Sequence, residues 1–194
     1  MNTNKMFNGY WMSYQPSGIF PSETLGEDNK VTLFVANPTR DGAIQINYLY
    51  KEYTKQKQIR WAKQLQNQGT EVLMCLTDSP SAPWNDVNIP AFVRNFKRDI
   101  IDGDWGLNGV DIDLESGMNG DVSASTFIRL IREFRAVLGP IDTTNSNGRY
   151  VSRISVAAYW PTLDQSILEN AGNELDWQNT MAYGNGLNSS CYVH

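Results

Sequence analysis

Short apolar runs alternate with amphipathic stretches along the chain. The runs Phe7 to Tyr14, Val31 to Asn37, Glu71 to Leu76, Gly109 to Leu114, Val151 to Ala158 and Trp177 to Tyr183 are mostly near-continuous in apolar residues. That is the pattern of strands covered on both faces, as in a parallel sheet. Between them lie helical periodicities with recognisable ends. Ile59, Ala62 and Leu65 recur at helical spacing before Gly69, and Pro90 opens a segment carrying Phe92, Val93, Phe96 and Ile100 before Gly103. Ser123 is placed to cap a helix whose Phe127, Leu130, Ile131, Phe134, Val137 and Leu138 form one stripe, closed by Gly139-Pro140. A weaker helix runs from about Leu163 to Asn170. Strand and helix in repeated alternation predict right-handed βαβ units, either in a doubly wound open sheet or in an eight-fold barrel.

Bulk properties narrow the partners. The 194 residues suit one domain, and 41% hydrophobic with 19% charged residues is ordinary for a folded globular chain. A net charge of −5 provides no basic footprint for nucleic acid or an anionic membrane surface, so an uncharged ligand fits better. Cys75 and Cys191 are far apart, with Cys75 inside an apolar run, and imply a reduced buried thiol rather than a disulfide framework. The N-terminal stretch lacks the charged start and apolar core of a secretory signal. The expectation is a cytoplasmic protein, or a secreted one whose leader lies outside this sequence.

The segment with chemistry in it is Gly109-Val110-Asp111-Ile112-Asp113-Leu114-Glu115. Strand side chains alternate faces, so Asp111, Asp113 and Glu115 point one way while Val110, Ile112 and Leu114 point toward the helices. Acids on one strand face lie about 6.5 Å apart, where two charges repel by about 2.6 kcal/mol at an effective dielectric near 20. One of them should therefore hold a proton near neutral pH, and Glu115, at the C-terminal end of the strand, is the best placed to act as a general acid. An acidic pair alone is more often ion-paired, a helix cap or a metal ligand; three acids on one strand face reverse that weighting. Metal chemistry usually recruits histidine, and the sole histidine is His194.

Asn108-Gly109-Val110-Asp111-Ile112-Asp113-Leu114-Glu115 resembles the fourth-strand signature of glycoside hydrolase family 18, Asp-Gly-x-Asp-x-Asp-x-Glu, at seven of eight positions. Gly9-Tyr10-Trp11, Phe34-Val35-Ala36-Asn37 and Met181-Ala182-Tyr183 are similar to that family's first, second and sixth strands, in the family's order. The resemblance implies a single glycoside hydrolase family 18-like catalytic domain over 1–194, a TIM-type (β/α)8 barrel truncated after its sixth strand. It also implies substrate-assisted retaining hydrolysis without a cofactor. Glu115 would protonate the glycosidic oxygen, Asp113 would orient the substrate acetamido group, Tyr183 would donate to the acetamido oxygen, and Asp111 would support Asp113. Tyr10, Trp11, Trp84, Trp160, Met181 and Asn185 are candidate sugar-binding residues, the aromatic ones because ring faces stack on pyranoses. The implied partner is chitin, a chitooligosaccharide or an N-glycan.

Three departures bear on activity. Asn108 replaces the first Asp of the signature, out of phase with the inward row. The third strand runs into Thr77-Asp78-Ser79-Pro80 where the family has Ser-x-Gly-Gly, and Gly184 replaces the Asp after the sixth-strand Tyr. The functional expectation is a chitinase-like or endo-β-N-acetylglucosaminidase-like hydrolase. Its rivals are a non-catalytic, lectin-like carbohydrate-binding protein on the same scaffold and a metal-dependent phosphodiesterase barrel.

Overall fold

The computed structural model describes residues 7–12, 29–115, 122–159 and 161–181. Six strands form one parallel sheet in sequential order: β1 (Phe7–Met12), β2 (Asn29–Pro38), β4 (Glu71–Leu76), β5 (Gly109–Asp113), β6 (Arg153–Ala158) and β7 (Trp177–Thr180). A two-residue strand, β3 (Ile44–Gln45), folds back antiparallel on the end of β2. It lies in a segment without strand periodicity and was not anticipated. Sequential parallel order with helices between strands is the winding of a (β/α) barrel, not of a doubly wound sheet, whose strand order reverses. The sheet curls until its first and last strands meet through side chains, the Asn179 amide on β7 donating to the Tyr10 hydroxyl on β1 at 3.0 Å.

The helices have the ends foreseen for them. In α1 (Lys55–Asn67), the Thr54 hydroxyl accepts from the Lys57 N–H, and Gly69 leaves the helix at φ +91°. Its buried face is Gln58, Ala62, Leu65 and Gln66, so Ile59 sits at the margin of the stripe. In α2 (Ile89–Phe96), Asn88 caps the start, and the helix widens into a π turn over Lys97–Ile101. Ser123 caps α3 (Ala124–Leu138), which ends at Gly139, and α4 (Pro161–Ala171) closes the set. None of the described helices is long and apolar enough to cross a membrane.

The core lies between sheet and helices. Val31, Leu33, Val72, Met74, Leu76, Val110, Ile112, Ile154 and Val156 face outward from the sheet and are buried against the helices. Phe134 of α3 meets Phe92 and Phe96 of α2 edge-on at 6.3 and 5.2 Å. Burying each such side chain is worth about 1.5–3 kcal/mol, which makes this outer layer the main source of stability. Gly109 is required by packing, because a Cβ there would run into the Arg153 carbonyl of β6. Asn108, the departure from the signature, is a structural clasp. Its side chain accepts from the Val72 N–H at 2.8 Å and from Gln66 at 2.9 Å, and donates to the Tyr150 carbonyl at 2.8 Å.

Candidate active site

The concave face of the sheet is polar. Alternation on β5 sends Asp111 and Asp113 inward while Val110 and Ile112 enter the core, as the sequence pattern requires. The row departs from expectation at its third member. The strand ends at Asp113, and Leu114–Glu115 turn off it in a 3₁₀ step. Glu115 therefore does not continue the pleat; instead its backbone N–H returns to Asp113 Oδ1 at 3.1 Å. This is the Asx-type bond that short acidic side chains form with the chain two residues on.

Asp111 is fully buried and lies at the centre of donors from four strands. Tyr10 of β1 donates to its Oδ2 at 2.8 Å, Ser155 of β6 to its Oδ1 at 2.5 Å, and Asn179 of β7 to the same Oδ1 at 3.3 Å. The Cys75 thiol of β4 also bonds it. Burial raises its pKa on balance, against the pull of the donors, Ser155 and Tyr10 foremost. Asp113 has, among the described residues, only the Glu115 N–H as donor. Burial first, with the charges of Glu115, Asp111 and Asp78 behind it, raises its pKa to about 7 against the pull of the Glu115 N–H. The mutual repulsion expected along the row is present, but desolvation is the larger cause, and it raises both acids. The Tyr10 hydroxyl and the Cys75 thiol are also pushed up, by burial and then by the Asp111 charge, so both stay protonated donors.

The candidate sugar-binding residues divide. Tyr10 is on the concave face, its hydroxyl turned to Asp111 and 38% of its surface open. Trp11 faces the other way, as alternation on β1 demands, and packs at 5.9 Å against both Tyr53 and Trp61 in the core. Trp84 is fully buried and edge-on to Phe92 at 5.4 Å. Neither tryptophan presents a ring face to a ligand, which corrects the expectation for both. The error arises because the end of a strand in sequence does not say which face a ring takes. Met181 is half-buried just beyond β7, its N–H donating to the Ala158 carbonyl at 2.9 Å. Trp160, Tyr183 and Asn185 lie outside the described residues.

Cys75, Ser155 and Asn179 were missed as members of the site. For Cys75 and Ser155 the signal was present: each is a small polar residue at an inward position of a largely apolar strand, directly across from Asp111, whereas Asn179 lies on the polar strand β7 opposite Ala157 and had no such signal. Among the described residues, no group of three His, Cys, Asp or Glu side chains is placed to hold a metal ion.

No protein-family model matches the sequence, and no curated protein does. Solved structures do. A glycoside hydrolase family 18 chitinase from Pseudoalteromonas aurantia is similar with a TM-score of 0.68 and 22% identity, over 94% of this chain and 69% of that one. A family 18 chitinase from Chromobacterium violaceum has a TM-score of 0.69 and 19% identity, over 93% of this chain and 51% of that one. The second catalytic domain of an Ostrinia furnacalis group II chitinase, solved as a mutant in complex with (NAG)5, has a TM-score of 0.62 and 19% identity, over 92% of this chain and 50% of that one. The chain thus spans 50 to 69% of the length of these three. Its fold is that of family 18 chitinases, a curled, parallel, helix-backed portion of a TIM-type barrel, as the fourth-strand resemblance implied.

Proposed function

We propose that the concave face is the acid half of a glycosidase site that cleaves β-1,4-linked N-acetylglucosamine with retention, using the substrate's own acetamido group as nucleophile. The observation that carries this reading is the pairing of two buried acids with opposite surroundings, Asp111 among four donors and Asp113 with its pKa at about 7 beside Glu115. In this reading the Glu115 carboxyl gives its proton to the glycosidic oxygen as the bond to the anomeric carbon breaks and the acetamido oxygen closes on that carbon. Asp113 accepts from the acetamido N–H and favours the positive oxazolinium ring, and Tyr183 donates to the acetamido oxygen. Water then opens the ring, with Glu115 taking the proton back. Chitin, chitooligosaccharides and the chitobiose core of N-glycans share the required group. Tyr10 lies on the near wall, and Met181, Trp160 and Asn185 remain candidate contacts from the resemblance.

The test is Glu115→Gln on an aryl chitobioside. Loss of a general acid should lower turnover by about 10²–10⁴-fold with binding retained, and unchanged turnover sinks the assignment. A second reading, a lectin-like protein on this scaffold, is favoured by Asp78. Its carboxylate lies near enough to Asp113 to raise that acid's pKa, and it stands in the loop where the family has glycines. Binding of a chitooligosaccharide by the unaltered chain without product after long incubation would select it.

A further inference from the structure

We propose that Asp78 is a specificity-determining residue of this site: its fixed carboxylate takes the ammonium of a glucosamine unit next to the N-acetylglucosamine that is cleaved, so that the preferred substrate is a partly deacetylated chitooligosaccharide. This rests on the reading above for the place of the sugar. The loop that carries Asp78 leaves β4 at Leu76, which pairs with Ile112, the residue before Asp113. It is held at several points. The amide of Asn37, buried at the end of β2, donates to the Thr77 and Asp78 carbonyls at 2.9 and 3.3 Å. The N–H of the fully buried Trp84 donates to Asp78 Oδ2 at 2.9 Å. Arg40 ties down the far side of the loop, at 2.9 Å from the Ser81 carbonyl and 3.2 Å from Asp86. A half-buried carboxylate restrained in this way cannot swing out of the cleft.

The charge around it has one sign. Those acting most on Asp113 come from Glu115, Asp111 and Asp78, all carboxylates. Of the 16 Lys and Arg in the sequence, all but Lys5 lie in the described residues. Lys30, Arg135 and Arg153 are paired with Glu71 and Asp176 at the other end of the strands, and Arg40 is engaged by Asp86. A cleft lined by one sign of charge draws in the opposite sign. An acetylated sugar chain brings no charge to it, whereas each deacetylated unit brings an ammonium, which bonds a carboxylate more strongly than a neutral amide N–H does. The cleaved unit must keep its acetamido group, because that group is the nucleophile. The ammonium therefore belongs to a neighbouring unit.

The test is calorimetric binding of a fully acetylated chitooligosaccharide and of the same oligomer after partial deacetylation, in mildly acidic buffer where the amine is charged. The full chain carries Glu115→Gln, so that neither oligomer is consumed. The partly deacetylated oligomer should bind about fivefold more tightly at low salt, and the advantage should shrink as salt is raised. Asp78→Asn, which keeps an acceptor for the Trp84 N–H, should remove most of that preference and leave affinity for the acetylated oligomer unchanged. Equal binding of the two oligomers, a preference that survives Asp78→Asn, or binding of neither would overturn the proposal. Should Asp78→Asn not fold, Asp78→Gly, which restores the residue type of the family, decides by the same readout. Absence of turnover in the chain with Glu115 intact would count against the proposed hydrolase and leave this preference untouched.

Discussion

At the N-terminal end of the strands, Glu71 is partly buried and the Asp176 carboxylate is covered, with cations against them: Arg153 at 2.9 and 2.7 Å, Lys30 on Glu71 at 3.1 Å and Arg135 on Asp176 at 2.9 Å. Further along the same concave face, Asp111 and Asp113 are buried, and among the described residues their hydrogen-bond donors are neutral. Burial opposes the Arg153 charge, yet Asp176 and Glu71 together push its pKa above the ordinary arginine value. Around Asp113, among the described residues, one backbone N–H opposes burial, and its affinity for a proton rises. The lower end keeps its charges and spends its polar groups on cohesion. The upper end keeps a titratable proton. An acid on a strand face is therefore informative only with its partners, since ion pairing explains one layer of this interior and not the other.

That contrast can be broken at either end. Removing the cation of the lower layer should have the largest effect: Arg153→Met leaves Glu71 and Asp176 short of a partner and should cost about 3–5 kcal/mol in urea denaturation, with hydrogen-exchange protection falling first in β6.

At the upper end the sign depends on pH. The folded pKa of Asp113, about 7, lies above the unfolded value, so its contribution is fully present below about pH 4 and is lost as pH rises toward 7. Asp113→Asn should match the unaltered chain at pH 4 and exceed it in stability at pH 8, by about 4 kcal/mol at most. A constant difference across that range would show that the carboxyl is not held neutral. The same variant should lose hydrolysis if the proposed function holds.

Smallest is the donor from β4. Cys75→Ser keeps a hydrogen on Asp111 and should change stability little, whereas Cys75→Ala removes it and should cost about 1 kcal/mol by thermal or urea melts. Equal costs would assign Cys75 to packing alone.

How much of this was legible beforehand differs by layer. Apolar periodicity located the six parallel strands and the four helices, because burying an outward-facing stripe is the dominant favourable term and is written directly into residue order. Two-residue alternation also put Asp111 and Asp113 on the concave face. It failed two residues past the strand end, at Glu115, because a 3₁₀ turn has no hydrophobic period to announce it. It failed again for Trp11 and Trp84, whose rings were expected at the ligand and are held in the core. The aromatic character of a residue records that it has a large surface to bury, not where.

What the sequence determined by itself is the alternation of strand and helix, the outer core and the presence of an acidic row on the strand Gly109–Asp113. What only the tertiary structure decided is how each acid is surrounded. That depends on Tyr10, Cys75, Ser155 and Asn179, brought to Asp111 from four strands as much as 169 positions apart in the chain. Desolvation and donor count are properties of a place in space, and no local pattern encodes them.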